Sequence, residues 1–372
     1  MKKKLGFFET VTEGNTSVFV YKSKESKKGP GSKQDEVFYN PAMEFNRDLS
    51  ILICQWLINN SKNNVKLLDG LAASGIRGFR MANELEGSFE VFINDYDEKA
   101  CFLIKKNQEE KKYGGVKVYN KNLNVLLSEE SFDYIDVDPF GSPVSFIDSA
   151  ARGIKNNGIL ACTATDTATL CGVYPRVCIR RYGAVPFHSV VMKEVGLRIL
   201  LGFISREVCK YDKGITPLVC YATDHYFRVY VRVRNGVKYA NDSMEKLGVI
   251  KQGSRIGFEK NTVDDVGPLW LGKIQYKKIF SSLRSISSSK KLGTKNVLWK
   301  FFDVLEEEAD APCFFYTTDS LSSFFKTSPP KMETVFDYLK SGGFDVFHTH
   351  FSPVGFKTNA GFDVIEKMFK TR

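Results

Sequence analysis

From about residue 65, short apolar runs alternate along the chain with stretches of helix-like periodicity. The runs at 65–69, 91–95, 116–119, 132–138 and 159–165 read as strands, being brief, rich in β-branched or aromatic residues and bounded by polar turns. Between them, 98–112 and 144–155 carry apolar residues at helical spacing. Strands that alternate with helices pair in parallel, because a crossover helix returns the chain to the same end of the sheet. A longer helical stretch, about 189–210, precedes two further β-rich runs, 218–223 and 226–234, separated by Asp224-His225. Runs so close together are expected to form an antiparallel hairpin at the sheet edge. The pattern predicts an α/β, doubly wound sheet of five parallel strands plus that edge hairpin. Beyond about Asn235 the rhythm changes, and a smaller α+β domain is expected. The division is placed near residue 240, giving domains 1–240 and 241–372. No apolar run is long enough to span a bilayer.

The strand ends carry the candidate chemistry. The run 132–137 leads into Asp138-Pro139-Phe140-Gly141. Proline biases the residue before it towards extended backbone, so a carboxylate, a constrained carbonyl and an aromatic ring arrive together at the carboxyl end of a strand. In open α/β sheets ligands bind at that end. Asp138 and a main-chain carbonyl suit an exocyclic amine as acceptors, and Phe140 suits the face of a flat base. A buried aspartate before a turn is the plain structural alternative. Upstream, Asp69-Gly70-Leu71-Ala72-Ala73-Ser74-Gly75-Ile76-Arg77 reads as a strand end, a small-residue loop and a helix start. Such a loop allows close ligand approach, and the helix amino end favours a negative group. It lacks the Gly-Lys-Ser/Thr ending of a triphosphate loop and the G-x-G-x-x-G spacing of dinucleotide enzymes. Asp95 ends the next strand, where a carboxylate accepts ribose hydroxyls. Loop, acidic strand end and Asp-Pro-Phe-Gly together point to S-adenosylmethionine. The strand order expected is that of a Rossmann-like class I methyltransferase.

Lys plus Arg number 53 against 43 acids, a net charge of +10 that is compatible with a polyanionic partner, nucleic acid first. The excess is concentrated. Between 272 and 301, Lys273, Lys277, Lys278, Arg284, Lys290, Lys291, Lys295 and Lys300 occur without one Asp or Glu, interleaved with Tyr276, Phe280 and Trp299. An ordinary solvated face mixes both signs, so contact with a phosphate backbone is expected here. A second basic cluster surrounds Gly29-Pro30-Gly31 in a loop at 22–33. The eight cysteines are scattered with no C-x-x-C pair, which favours reduced, packed thiols over disulfides or zinc. Cys171 and Cys178 are read as packing residues. His348 and His350 share a strand face but lack the further ligands a metal needs. Asp166 is expected either to line the pocket or to cap a helix, and Arg180 and Arg181 either to reach phosphate or to form surface ion pairs. The basic start, Met1-Lys2-Lys3-Lys4, is followed by no apolar centre, so a cytoplasmic protein is expected.

Assembled, these residues resemble the tRNA (guanine-N2)-dimethyltransferase family, which modifies guanine 26 of tRNA. The resemblance includes Phe38-Tyr39-Asn40-Pro41, Asn46-Arg47-Asp48-Leu49-Ser50, Ala73-Ser74-Gly75-Ile76-Arg77-Gly78 and Asp136-Val137-Asp138-Pro139-Phe140-Gly141-Ser142-Pro143. It continues through Thr165-Asp166, Leu170-Cys171-Gly172-Val173-Tyr174-Pro175, Asp224-His225-Tyr226 and Gly267-Pro268-Leu269-Trp270, and closes with His348-Thr349-His350-Phe351 and Lys357-Thr358. It implies S-adenosylmethionine contacts at Arg47, Arg77 and Asp95, and at an acidic Asp-Ala-Asn segment that here reads Asn122-Leu123-Asn124. Asn122 keeps a side-chain oxygen for the adenine amine, and Leu123 follows it. The implied reaction is direct methyl transfer to guanine N2, performed twice, with Asp138, Pro139 and Phe140 as the catalytic set. Lys273, Lys277, Lys278, Arg284, Lys290 and Lys291 are expected to hold tRNA, the C-terminal domain to be tRNA-binding, and the chain to act as a monomer. Many relatives carry two cysteine pairs before Gly-Pro-Leu-Trp. Here no cysteine lies between Cys220 and Cys313, so no metal is expected. The rival readings are an adenine-N6 nucleic-acid methyltransferase and a non-catalytic tRNA-binding protein.

Overall fold

The computed structural model of the chain describes residues 8–22, 37–223, 225–262 and 264–370. The expected basic loop, apart from Lys22, and Asp224 lie outside the described residues. A hairpin of β1 (Phe8–Glu13) and β2 (Thr16–Tyr21) precedes α1 (Glu44–Asn59). The alternation then runs β3 (Val65–Asp69), α2 (Ile76–Glu84), β4 (Phe89–Asn94), α3 (Glu98–Lys111), β5 (Val116–Tyr119), α4 (Leu123–Glu129), β6 (Phe132–Val137), α5 (Val144–Gly153) and β7 (Ile154–Ala164). Short helices α6 (Thr167–Leu170) and α7 (Pro175–Tyr182) lead to α8 (Met192–Cys209), β8 (Lys213–Ala222) and β9 (Phe227–Asn235). Then come α9 (Val237–Met244), β10 (Leu247–Ile250), β11 (Arg255–Ile256), β12 (Glu259–Lys260), β13 (Val266–Trp270), α10 (Ile279–Ser289) and α11 (Lys295–Glu308). The chain closes with β14 (Tyr316–Thr317), α12 (Thr318–Phe325), α13 (Met332–Ser341), β15 (Val346–His348), β16 (Gly355–Thr358) and α14 (Phe362–Lys370).

The main sheet has the order β5-β4-β3-β6-β7-β9-β8. Pairing is parallel from β5 through β7, as the alternation predicts, with β9 and β8 at one edge. Successive residues Leu67 and Leu68 of β3 and Tyr134 and Ile135 of β6 are buried, as in a sheet covered on both faces, although Lys66, Asp69, Asp133 and Asp136 interrupt the apolar runs. Several boundaries shift by a few residues, and two strand starts shift most. β7 begins at Ile154, ahead of the expected 159, because Ile154 pairs with Phe132 across the sheet, and that pairing ends α5 at Gly153. β8 begins at Lys213, ahead of Pro217. A proline interrupts the apolar run, yet an edge strand tolerates its missing N–H. The β1–β2 hairpin lies ahead of the expected elements; its strands lack a clean polar–apolar alternation, and Gly14 turns the chain between them at φ 56°.

By compactness the chain divides into two units, neither of them contiguous. The first comprises 1–163, 232–235 and 278–300; the second comprises 164–231, 236–277 and 301–372. A single cut near 240 therefore differs from this division, because α10 packs against α1 within the first unit. In the second unit α8 packs against β8, α9 and β13. There a small β14-β16-β15 sheet shares a core of Leu321, Val335, Leu339, Phe356 and Ile365 with α12, α13 and α14.

Candidate active site

Asp138 follows the last residue of β6, and its Oδ2 accepts a hydrogen bond from Arg77 Nη2. Arg77, in the first turn of α2, also donates through Nη1 to Asn46 Oδ1 at 2.9 Å and Ser50 Oγ at 2.7 Å. The same nitrogen lies 3.4 Å from Asp136 Oδ2. Asn46 and Ser50 are one turn apart on α1, so a single buried helix face presents both. The planar guanidinium reaches α1 and the end of β6 at once, a span that suits its fixed fork of donors. Asp69, at the end of β3, is the cross-strand partner of Asp136 and accepts the Gly78 N–H at 3.0 Å. Three carboxylates (Asp69, Asp136 and Asp138) thus crowd one cation. Burial pushes Asp69 up to about 7; Arg77 opposes the rise, and the charges of Asp136 and Asp138 add to it. The cluster relieves its excess negative charge by keeping a proton on Asp69 in mildly acidic solution.

Pro139 and Phe140 complete the motif. The Phe140 ring is 54% exposed and meets Phe38 edge-on, with centroids 4.7 Å apart and planes at 81°. Gly141 turns the chain at φ 85°, a conformation side chains resist, with open space where a Cβ would stand. Phe38 is held by its neighbours. Val37 packs against Ala100 and Leu103, and the Tyr39 hydroxyl donates to Glu13 Oε1 at 2.9 Å.

At the cofactor end, the Gly70 N–H donates to Asp136 O at 3.0 Å, and a Cβ there would stand 2.7 Å from that oxygen. Asn94, fully buried at the end of β4, donates to Gly70 O at 2.9 Å and Lys121 O at 3.1 Å. It ties the ends of β3, β4 and β5 together. Asp95 is half-buried and accepts the Ala73 N–H at 2.7 Å and the Asp97 N–H at 2.9 Å, one on each oxygen. Burial raises its pKa against those two amide bonds. Each oxygen keeps a lone pair, which suits the two hydroxyls of a ribose. Asn122 is exposed and caps α4, its oxygen accepting the Asn124 N–H at 2.9 Å; Leu123 is buried beneath it. Arg47 donates to Glu13 Oε2 at 2.7 Å and to Asn40 O at 2.9 Å, and lies over the Tyr39 ring. Burial would raise the pKa of Glu13, but Arg47 and Arg80 bring it net downward. Both implied cofactor arginines are therefore bound to protein carboxylates, Arg77 to Asp138 itself. That geometry orders the site.

These partners were legible as motif letters, not as contacts. Asn46, Ser50, Asp69 and Asp136 show one signal in sequence, polar residues within otherwise buried, apolar elements. Glu13 and Asn94 carry no local pattern that marks them.

The expected tRNA contacts separate in the structure. Lys273 and Lys277, in the second unit, share Asp310 at 2.6 and 2.7 Å. Lys278 and Lys291, in the first, are exposed with no carboxylate partner among the described residues; Arg284 is half-buried. Lys290 departs from the expectation: it is buried, donating to Glu84 O at 2.6 Å and Glu86 Oε1 at 2.8 Å. Its ammonium serves the carboxyl end of α2. Asp166 makes no side-chain cap and instead accepts from Tyr182 Oη at 2.7 Å and pairs with Arg181 at 3.2 Å. Cys171 and Cys178 are buried, and burial pushes the Cys178 thiol to about 12, out of the range of a nucleophile. His350 is buried against Glu308. Among the described residues no group of three or more His, Cys, Asp or Glu side chains is placed to hold a metal, and no helix is long and apolar enough to cross a membrane.

Comparison with known proteins places the chain in a family. Residues 15–370 match the model of the family described as N2,N2-dimethylguanosine tRNA methyltransferase. A tRNA (guanine(26)-N(2))-dimethyltransferase of Methanobrevibacter smithii is 37% identical over 98% of this chain and 97% of its own. That of Pyrococcus furiosus is 38% identical over 97% and 98%. The structure of Trm1 from Pyrococcus horikoshii with S-adenosyl-L-methionine superposes with a TM-score of 0.85 at 34% identity, covering 97% of this chain and 99% of that one. Sequence and fold agree, and this chain belongs to the N2,N2-dimethylguanosine tRNA methyltransferase family.

Proposed function

We propose that the protein transfers methyl groups from S-adenosylmethionine to the exocyclic N2 of guanine 26 in tRNA, giving N2,N2-dimethylguanosine. The observation that carries the reading is Asp138, anchored by Arg77 at the end of β6 beside the half-exposed ring of Phe140. S-adenosylmethionine supplies a methyl group activated on a sulfonium. Asp95 suits its ribose hydroxyls, and Asn122 its adenine amine. The guanine N2 lone pair is delocalised into the ring, which makes it a weak nucleophile. With Oδ2 occupied by Arg77, Asp138 Oδ1 faces no protein donor among the described residues and accepts an N–H of that amine. The Pro139 carbonyl accepts the other. Held in this way the nitrogen can pyramidalise, and Asp138 takes the proton it releases. Positioning and electrostatics then supply most of the rate. Extracting the base from its stack costs a few kcal/mol, and stacking on Phe140 returns about 1–3 kcal/mol. Phe38 fixes the edge of that ring. We assign the exposed basic residues and the C-terminal region to tRNA binding, and place the reaction in the cytoplasm with a monomeric chain.

The test is nucleoside mass spectrometry of unmodified tRNA after reaction. Wild-type protein should yield N2,N2-dimethylguanosine at position 26. Asp138→Asn, which keeps the shape, and Asp138→Ala should each lower the rate by roughly a hundredfold or more, with S-adenosylmethionine affinity by calorimetry nearly unchanged. Normal rates in both variants would reject the assignment of Asp138, and N6-methyladenosine as product would replace the guanine reading.

A further inference from the structure

Helix α7 and the turn before it present a cationic and aromatic face that the proposed chemistry does not use. Cys178 and Tyr182 are the buried residues of this helix. Arg176 and Arg180 fall one turn apart on the opposite side. Both are exposed, and neither has a carboxylate partner among the described residues. Arg181 differs, because Asp166 holds it. Like charges four residues apart work against a helix; the carboxyl end of α7 favours Arg180 in its last turn, but Arg176 in the first turn has no such support.

The preceding turn is exposed but firmly held. Val173 is 50% and Tyr174 56% exposed. The Val173 N–H donates to Ala168 O at 2.9 Å, and His188 Nδ1 donates to Cys171 O at 2.9 Å. Gly172 turns at φ 85°, and a Cβ there would stand 2.9 Å from the His188 nitrogen. The tyrosine ring is therefore displayed by a turn with little freedom, one residue ahead of a helix that carries two exposed guanidinium forks without a carboxylate partner among the described residues. Forked donors match phosphate oxygens, and an exposed ring matches the face of a base.

We propose that residues 173–180 form a second contact for tRNA, separate in sequence from the basic segment 273–300, with Arg176 and Arg180 on phosphates and Tyr174 stacked on an unpaired base. This rests on tRNA being the substrate. The test measures tRNA affinity of the full chain across roughly 50–200 mM salt for Arg176→Ala, Arg180→Ala and Tyr174→Ala. Lys62→Ala serves as the charge-matched control; Lys62 is exposed just before β3, at the end of that strand remote from the catalytic motif. Each arginine variant should flatten the slope of log affinity against log salt by roughly 0.7–0.9. Tyr174→Ala should weaken binding roughly fivefold or more with the slope unchanged. The control, the melting temperature and the affinity for S-adenosylmethionine should stay as in wild type. Wild-type slopes in both arginine variants overturn the inference while leaving the methylation reading intact. A wild-type chain that neither binds nor methylates tRNA overturns both.

Discussion

The guanidinium of Arg77 joins four partners, with Nη1 reaching Asn46, Ser50 and Asp136 and Nη2 reaching Asp138. A lysine carries the charge but reaches only one or two such partners. Arg77→Lys should therefore lower kcat for methylation by roughly a hundredfold through misplacement of Asp138, with tRNA affinity little changed; steady-state kinetics beside a binding isotherm separate the two. An unaltered kcat would mean that Asp138 does not need this anchor. Asp69 yields a pH prediction. Its folded pKa stands near 7, against an ordinary 3.8. Between those values the fold holds a proton that the unfolded chain has lost, so the stabilisation is complete below about 4 and disappears as pH rises through 7. Asp69→Asn should flatten the fall in stability between pH 4 and 7, an effect on the order of a few kcal/mol. Denaturant titrations across that range measure it, and an unchanged slope would place the proton elsewhere.

Between α10 and α11, a short link is tied into the first unit by polar contacts. Lys290 donates to the Glu84 carbonyl, and Thr294 donates to Asp48 Oδ2 through its N–H at 2.9 Å and its hydroxyl at 2.7 Å. Asp48 in turn pairs with Arg80 at 2.7 Å. Lys290→Met keeps the aliphatic stem and removes the donor. It should destabilise the protein by about 1–2 kcal/mol, seen as a lower melting temperature, and leave the salt dependence of tRNA binding unchanged. A flattened salt slope would return Lys290 to the phosphate contacts. Element identity was largely readable, since β3, β5 and β6 begin where their apolar runs begin. The boundaries of β7 and β8 were not, because strand pairing and edge position decided them.

For the molecule as a whole, the excess positive charge matters only where it meets solvent. Lys278 and Lys291 are exposed and unpaired among the described residues, whereas Lys273 and Lys277 share one carboxylate. Lys278→Glu with Lys291→Glu should weaken tRNA binding and flatten its salt slope by more than one unit, while calorimetry finds S-adenosylmethionine binding intact. A wild-type slope would exclude this segment from the interface. Periodicity by itself determined the parallel sheet, its edge pair and the strand ends where chemistry collects, because burial on both faces demands continuous apolar runs in fixed alternation. The motif residues at those ends were also readable, since proline, glycine and carboxylate act locally on the backbone. Only the tertiary structure decided which charges are spent inside the fold: that Arg77 binds Asp138, that Glu13 takes Arg47, that Lys290 serves a helix end. Those pairings join residues far apart in the chain, and a side chain's partner depends on what folding brings within hydrogen-bond reach, which no local pattern records.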